Sequence, residues 1–451
     1  MTTIQSGYVL DFDDDFNGII LDDRQRKISV PGAIPGETIQ YHVEHYSMHE
    51  PKGWGKCDAL IKPSNHRIPH TKCPICWPTA GMCSGCPLMH IDDATQADLK
   101  RKFVKRTLLN AGITYIDNFT FTPAKQVFHY RNRTDLVAAS VKGKFILGAY
   151  KPRSHDIVET KTCVILRPPL NQVVSFVVSV ARSMRIFAAK PGLTFDDGAL
   201  RYVSLFANTD GKVLIDLVAT SAHGNPPSWI KPFAEQLFSF SPVAGVSFSL
   251  NDSPNNAIRI APSTTLFGKH TLPEKHGDIL SQFAASGFTQ LNTQMAAIIY
   301  QKAASWLDRK PRVVWDLFCG VGAFGRTLAP SKDLYGAEFS PSAIQAAIQC
   351  AQNDSCTSHF EVMNLEKQWP SNWASPDVIC LDPPRKGLNP FLIDKLLQYG
   401  PPTLIYMSCN PVSFARDAAQ LHAKYTIDKF EAFDMMPQTK QIETLALLKR
   451  F

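Results

Sequence analysis

The sequence predicts an α/β protein with a C-terminal Rossmann-like domain, an N-terminal β-barrel and a mixed α+β central domain between them. From about residue 290 onward, apolar strands alternate with helices, which is typical of a parallel, doubly wound sheet. Residues 1–65 hold short strands between turns, and a mixed, strand-rich pattern follows from about residue 120 to 280. We therefore place the three domains at residues 1–66, 67–284 and 285–451.

The N-terminal strands are short and end at proline-glycine turns. Three of them are 18–21, 27–30 and 38–43, and the turns include Pro31-Gly32 and Pro35-Gly36. Many short strands with regular turns are most simply arranged as a small barrel. A basic helix is predicted over 98–110, after a segment rich in cysteine.

Composition places the chain among ordinary globular proteins. It has 451 residues, of which 44% are hydrophobic and 19% charged. No apolar run reaches the ~18 residues of a membrane helix. The first residues, Met1-Thr-Thr-Ile-Gln5, lack the basic and apolar parts of a signal peptide. We expect a cytoplasmic monomer that does not act at a membrane.

Charge is unevenly distributed along the chain. Residues 1–65 contain six Lys and Arg against ten Asp and Glu, a balance of −4. Residues 66–170 contain sixteen against seven, a balance of +9. A basic block of this size suits a polyanion such as nucleic acid, although a solvated basic face would look the same.

A glycine-rich turn follows the first strand of the C-terminal domain. It reads Asp316-Leu-Phe-Cys-Gly-Val-Gly322, and Glu338 follows the next strand. The glycines allow a ligand to approach the backbone, and the carboxylate can accept both hydroxyls of a ribose. This pattern fits NAD or S-adenosylmethionine, and Asp316 with a short Gly-x-Gly favours the latter. A purely structural turn is the alternative.

Three further polar residues lie where later strands begin or end. Asp382 begins Asp-Pro-Pro-Arg385, Cys409 lies in Ser408-Cys-Asn-Pro411, and Glu443 opens the last strand. Parallel strands present such residues at one edge of the sheet, where a thiol can act as nucleophile and a carboxylate as base. A strand-ending turn, a buried thiol and a surface carboxylate are the structural alternatives.

The chain has eleven cysteines, and four are clustered as Cys73-x2-Cys76-x6-Cys83-x2-Cys86. Without an export signal, a disulfide framework is not expected. Two Cys-x2-Cys pairs suggest a metal, and their spacing alone is that of a structural zinc site.

Taken in order, these motifs resemble those of the RNA uracil-C5 methyltransferases, and the resemblance covers essentially the whole chain. Phe288-Thr-Gln-Leu-Asn292 is similar to a segment that precedes the cofactor domain in that family. Ser408-Cys-Asn-Pro411 is similar to its nucleophile signature, and Pro437-x-Thr-x-x-x-Glu443 to its base signature. The last two are the specific ones.

The resemblance implies a role for each matching residue. Cys409 is the expected nucleophile and Glu443 the expected base, while Phe288 is expected to stack on a base of the RNA. The N-terminal barrel resembles a TRAM domain, an OB-like RNA-binding module, and Arg131 and Arg133 match an RNA-contacting strand. The expected S-adenosylmethionine contacts are Gln290, Phe318, Glu338, Asn364 and Asp382.

Related methyltransferases also carry a [4Fe–4S] cluster on three clustered cysteines and a distant one. The corresponding residues here are Cys73, Cys83, Cys86 and the distant Cys163, with Cys76 as an alternative to Cys73. We expect this cluster, and the zinc site remains the alternative.

By this resemblance the expected product is 5-methyluridine in 23S rRNA. A tRNA substrate and a catalytically silent RNA-binding factor are alternatives. Cytosine-C5 methylation is disfavoured, because its RNA enzymes carry an extra cysteine where this chain has Asp382-Pro-Pro-Arg385. Cys380, two residues earlier, is interpreted as a core residue.

Overall fold

This computed structural model describes residues 3–76, 83–116, 118–152, 154–190, 196–255, 257–329, 333–352 and 357–451. The helices in the described part of the chain are α1 (Asp93–Asn110), α2 (Pro168–Ser183), α3 (Ile230–Phe238), α4 (Thr293–Ser305), α5 (Ala323–Leu328), α6 (Pro341–Ala351), α7 (Pro390–Tyr399) and α8 (Pro411–Leu421). None of these helices is long and apolar enough to span a bilayer.

The strands form three sheets and a separate hairpin. The first sheet contains β1 (Gln5–Tyr8), β2 (Asp11–Phe12), β3 (Gly18–Leu21), β4 (Lys27–Val30), β5 (Thr38–Tyr46) and β6 (Lys52–Lys62). The second contains β8 (Arg133–Val141), β9 (Lys144–Tyr150), β10 (Ile157–Glu159), β11 (Leu200–Ala207), β12 (Val213–Ala219), β13 (Val243–Leu250) and β14 (Thr264–Gly268). The hairpin is β15 (Leu272–His276) with β16 (Ile279–Phe283). The third sheet contains β7 (Thr120–Thr122), β17 (Val313–Leu317), β18 (Asp333–Glu338), β19 (Ser358–Val362), β20 (Val378–Leu381), β21 (Thr403–Ser408), β22 (Tyr425–Phe433) and β23 (Glu443–Arg450).

The chain divides into two compact units. The first comprises Met1–Phe103, Ala149–Val158 and Met436–Lys440, and the second comprises Val104–Gly148, Glu159–Met435 and Gln441–Phe451. The first two sheets lie within the predicted domains 1–66 and 67–284, and the third within 285–451 apart from β7. The boundaries between three separate domains therefore stay a prediction.

The six-stranded sheet of the first unit has the order β1-β5-β6-β4-β3-β2. Its strands alternate apolar and polar residues, so one face buries Ile20, Ile28, Ile39 and Tyr41 in a common core. A buried carboxylate, Glu37, is held there by the guanidinium of Arg67 at 2.5 Å. The predicted N-terminal β domain is present.

The seven-stranded sheet belongs mainly to the second unit and is covered by α2 and α3. Apolar residues of these helices and of β8, β11 and β12 form one continuous core. Arg259 joins the side chains of two strands, because its guanidinium lies 2.8 Å from Asp216 and 3.3 Å from Asp135. This charged network lies inside the sheet domain.

The eight-stranded sheet has the order β19-β18-β17-β20-β21-β23-β22-β7. The five strands from β19 to β21 are parallel, whereas β23 runs antiparallel to both β21 and β22. A helix follows each of β17, β18, β20 and β21, in agreement with the alternating sequence pattern. The predicted Rossmann-like domain is confirmed.

Candidate active site

The loop after β17 is shaped by its glycines. Gly322 has a φ of 76°, and a Cβ there would lie 2.9 Å from the ring of Phe360. A Cβ on Gly325 would lie 2.7 Å from Asp316. Instead, the N–H of Gly325 donates to Asp316 Oδ2 at 2.9 Å. The glycines thus let the first turn of α5 pack directly against the end of the strand.

Glu338 ends β18 and faces the same loop. Its two oxygens accept the N–H groups of Ser340 at 2.9 Å and Gly320 at 3.4 Å. Asn364 lies two residues beyond β19, where its Oδ1 accepts the N–H of Glu366 at 3.0 Å. Both predicted residues therefore lie at the carboxyl edge of the sheet, on neighbouring strands.

Asp382 follows β20, and the side chain of Gln290 contacts it. Gln290 Nε2 donates to Asp382 Oδ2 at 3.1 Å. Burial and the nearby charge of Asp316 raise the pKa of Asp382 to about 8, while the hydrogen bond from Gln290 opposes this shift. Burial also raises the pKa of Asp316 to about 7. Two carboxyl groups here are therefore easily protonated.

The register of β21 and β23 brings Cys409 next to Glu443. Ser408 of β21 pairs with Thr444 of β23, so the residue after Ser408 lies beside the residue before Thr444. Glu443 is only 3% exposed, and its Oε1 accepts no hydrogen bond from the described residues. Cys409 is half-buried. A thiol and a carboxyl group with one unpartnered oxygen therefore share one end of this strand pair.

Both groups are shifted toward their neutral forms. Burial, with the charges of Glu443 and Asp382, raises the pKa of the Cys409 thiol to about 12, and Arg385 opposes this shift. Burial and Asp382 likewise raise the pKa of Glu443 well above its ordinary value. A bound cation would favour the ionised form of each group.

The strand order places six predicted residues along one edge of the sheet. They are, from β19 to β23, Asn364, Glu338, Phe318, Asp382, Cys409 and Glu443. Adjacent strands are about 4.8 Å apart, so neighbours in this series are within reach of one small ligand. The first four offer hydrogen-bonding and stacking groups, and the last two offer a thiol and a carboxyl group.

The predicted RNA-contacting residues differ in exposure. Phe288, two residues before Gln290, is 70% exposed and is free to stack. Arg131 is half-buried, and its Nε donates to the carbonyl oxygen of Arg133 at 2.8 Å. Arg133 is buried on an inner strand, with its guanidinium 3.6 Å from Asp135. Its charge is directed to a carboxylate of the protein, which does not support phosphate contact.

The predicted cluster cysteines belong to both compact units. Cys73, Cys76 and Cys86 are buried in the first unit, where Cys83 is half-buried, and Cys163 is half-buried in the second. All are reduced. Thiols suit iron–sulfur clusters and zinc, yet the described side chains gather no group of three or more Cys, His, Asp or Glu that could hold a metal. Their donor chemistry therefore fits such a cluster.

Two residues inside the quoted motifs were not singled out from the sequence. Arg385 favours the thiolate of Cys409 through its charge. Asn410 donates its amide to the carbonyl oxygen of Arg385 at 2.9 Å, which joins the two loops. Their positions, three residues after Asp382 and directly after Cys409, were the available signal. Cys380 is completely buried, as its core interpretation predicts.

Comparisons with known proteins agree with this geometry. A model of the tRNA (Uracil-5-)-methyltransferase family matches residues 371–451, which contain Asp382, Cys409 and Glu443. An uncharacterized RNA methyltransferase of Staphylococcus aureus (strain COL) is 29% identical over 98% of this chain and 97% of that protein. Another from Thermosynechococcus vestitus is 30% identical over 94% of this chain and 93% of that protein.

A solved structure shares the fold over the full chain. It is the tRNA (uracil-54, C5)-methyltransferase of Pyrococcus abyssi in complex with S-adenosyl-L-homocysteine. The TM-score is 0.76 at 25% identity, and the match covers 98% of this chain and 100% of that one. With relatives this similar along nearly their whole length, the chain belongs to the S-adenosylmethionine-dependent RNA (uracil-5-)-methyltransferase family.

Proposed function

We propose that this enzyme forms 5-methyluridine in 23S rRNA, with Cys409 as nucleophile and Glu443 as base. The observation that carries the proposal is the β21–β23 register, which sets the thiol beside a buried carboxyl group. Asp382, on the neighbouring strand, is contacted by Gln290. Nucleophile, base and cosubstrate contacts thus occupy adjacent strand ends.

The target carbon explains why a thiol is needed. C5 of uracil is a weak nucleophile toward an alkyl group. When Cys409 Sγ forms a bond to C6, the C5–C6 double bond opens and an enolate forms whose C5 can attack a methyl group. Thiolate is well suited to this addition because sulfur is intrinsically nucleophilic.

The base explains the buried carboxyl group. After methylation, C5 carries both the methyl group and its original hydrogen. Glu443 removes that proton, the electron pair restores the C5–C6 double bond, and the Sγ–C6 bond breaks. A carboxyl group with a raised pKa takes up a proton at neutral pH more readily than an exposed one.

S-adenosylmethionine, when bound, supplies a methyl group on a positively charged sulfur. Gln290, Phe318, Glu338, Asn364 and Asp382 are the residues that would hold it. The site fits such a molecule: Asp316 is completely buried, and its Oδ1 accepts no hydrogen bond from the described residues. Glu338 holds the glycine loop in place through Gly320.

We assign RNA binding to three regions. Phe288 is exposed beside the cosubstrate contacts and would stack on the extruded base or its neighbour. The basic block 66–170 would carry most of the electrostatic attraction to phosphates. Arg131 belongs to this basic block and is proposed to contact RNA. Arg133 is not, because its guanidinium pairs with Asp135. The N-terminal domain would serve as a TRAM-like module, and the enzyme would act as a cytoplasmic monomer.

The RNA substrate is tested by methyl transfer from labelled S-adenosylmethionine. Unmodified 23S rRNA and tRNA transcripts are compared, and the labelled nucleoside is identified. We expect 5-methyluridine in the rRNA only. The Pyrococcus abyssi relative acts on tRNA, so tRNA is the necessary comparison.

Either other outcome would change the proposal in a defined way. Label in tRNA alone would keep the reaction and overturn the rRNA substrate. Absence of label in both, with folded protein, would favour a catalytically silent RNA-binding factor.

We also propose a [4Fe–4S] cluster on Cys73, Cys83, Cys86 and Cys163, on the basis of donor chemistry and resemblance alone. Anaerobically purified protein should then be brown, absorb near ~400 nm and contain about four irons per chain. Metal analysis and absorbance check this. Colourless protein with one zinc per chain would instead indicate that Cys76 joins Cys73, Cys83 and Cys86 in a closed site.

A further inference from the structure

Asn132 is completely buried just before β8 and holds the segment that carries Gln290. Its Nδ2 donates to the carbonyl oxygen of Gln290 at 2.9 Å and to Thr293 Oγ1 at 3.0 Å. Its backbone N–H donates to the carbonyl oxygen of Leu291 at 3.0 Å. One side chain and its backbone therefore fix three of four consecutive residues.

The same segment is also held by Arg167, whose side chain is half-buried. Arg167 donates to Thr293 Oγ1 at 3.2 Å, and its two terminal nitrogens lie 3.0 and 3.2 Å from the carboxylate of Glu274. Glu274 is 2% exposed. Because a paired guanidinium and carboxylate have a defined mutual geometry, Thr293 has little freedom to move.

Gln290 connects this support to the strand edge. Its main-chain oxygen accepts from Asn132, and its side-chain amide donates to Asp382 at 3.1 Å. A shift of the Gln290 backbone would therefore move the amide away from the carboxylate. Hydrogen bonds at a binding site depend on placement to within fractions of an ångström.

We propose that Asn132 is a positioning residue, which fixes the Gln290 backbone so that the Gln290 amide orients Asp382 for S-adenosylmethionine. This inference rests on the proposed function, in which Gln290 and Asp382 contact the cosubstrate. Asn132 itself contacts neither RNA nor cosubstrate. It acts through the carbonyl group of Gln290, and so connects the start of β8 in the seven-stranded sheet with Asp382 after β20 in the eight-stranded sheet.

A matched control separates this role from ordinary core stability. Asn251 is also completely buried in the second unit, and its Nδ2 donates to the carbonyl oxygens of Ala257 and Ile258 at 2.6 and 3.0 Å. It has no hydrogen bond to the Gln290 segment among the described residues. Both alanine variants lose two amide donations from a completely buried side chain, but only Asn132→Ala affects Gln290.

The experiment measures S-adenosylmethionine binding to full-length protein by calorimetry, without RNA. We expect Asn132→Ala to weaken binding roughly tenfold, the effect of losing one buried hydrogen bond. Its KM for S-adenosylmethionine should rise by more than its kcat falls. Asn251→Ala should lower the melting temperature and leave the affinity unchanged. Wild-type affinity in Asn132→Ala, or equal weakening in both variants, would overturn the inference.

A double variant separates this inference from the proposed function itself. If Asn132 acts through Gln290, then Asn132→Ala should weaken binding no further in a Gln290→Ala background. Unchanged affinity in Gln290→Ala alone would refute the cosubstrate contact, whereas additive losses would refute only the role of Asn132. Should Asn132→Ala fail to fold, Asn132→Ser keeps one hydroxyl donor, one bond nearer to the backbone, and a smaller loss of affinity is expected.

Discussion

Replacing Cys409 with alanine should abolish methyl transfer and, with RNA containing 5-fluorouridine, the covalent enzyme–RNA adduct. Fluorine at C5 cannot be removed as a proton, so the wild-type enzyme stays bonded to C6 after methylation. Without Sγ that bond cannot form. By analogy with the loss of the nucleophile in covalent hydrolases, turnover should fall on the order of 10⁶-fold. A denaturing gel detects the adduct, and label transfer measures the rate.

Cys57→Ala is the control, since Cys57 is half-buried like Cys409 but lies in β6 of the first unit. It should keep both adduct and activity. An adduct that persists in Cys409→Ala would refute the assignment of the nucleophile.

The rate of adduct formation should also rise with pH. Because the pKa of the Cys409 thiol is raised to about 12, its thiolate fraction increases about tenfold for each pH unit below that value. The positive charge of bound S-adenosylmethionine should lower the pKa of the thiol. With saturating S-adenosylmethionine, the rate of adduct formation should therefore reach its plateau at a lower pH.

Replacing Glu443 with glutamine should stop the reaction after the methyl group has moved. The amide cannot accept the C5 proton, so the enzyme should accumulate bonded to C6 of ordinary, methylated RNA. Turnover should fall about 10²- to 10⁴-fold, the usual contribution of a general base. The first step should survive, because removing the charge of Glu443 favours the thiolate of Cys409. Labelled S-adenosylmethionine should leave label on the protein–RNA band of a denaturing gel.

Glu431→Gln is the matched control. Glu431 is also buried, at 4% exposed, in the neighbouring strand β22, but it pairs with Lys302 at 3.1 Å away from Cys409. It should release product normally. Rapid release of free methylated RNA by Glu443→Gln would show that another group removes the proton.

The sequence predicts which edge of the sheet carries the site, but it does not predict that Glu443 lies beside Cys409. Alternating strands and helices require Glu338, Asp382 and Cys409 to follow parallel strands at one edge. Glu443 opens an antiparallel strand, and its position depends on β23 inserting between β21 and β22. Strand order of this kind is set by packing of the whole domain, which residue patterns do not specify.

Charge and spacing were weaker guides. Arg133 adds to the basic block, yet it lies on β8 between two other strands and faces Asp135, because a cation on an inner strand requires a partner. Cysteine spacing identifies candidate donor thiols but not the directions in which they point. It therefore does not decide which thiols share one metal site. Asn132 gave no signal, since its role depends on a residue 158 positions away in sequence.

Asp316, Asp382 and Glu443 lie close together at one buried edge of the sheet. Their protonation should therefore depend on the charge of the molecule bound there. Their raised pKa values favour the protonated carboxyl forms at neutral pH when no ligand is bound. Binding of the sulfonium of S-adenosylmethionine would favour release of some of these protons, and its conversion to a neutral thioether would favour their return. S-adenosylhomocysteine, which carries no charge on sulfur, would therefore be attracted less strongly to these carboxylates than S-adenosylmethionine. Its replacement by S-adenosylmethionine would then be favoured after each turnover.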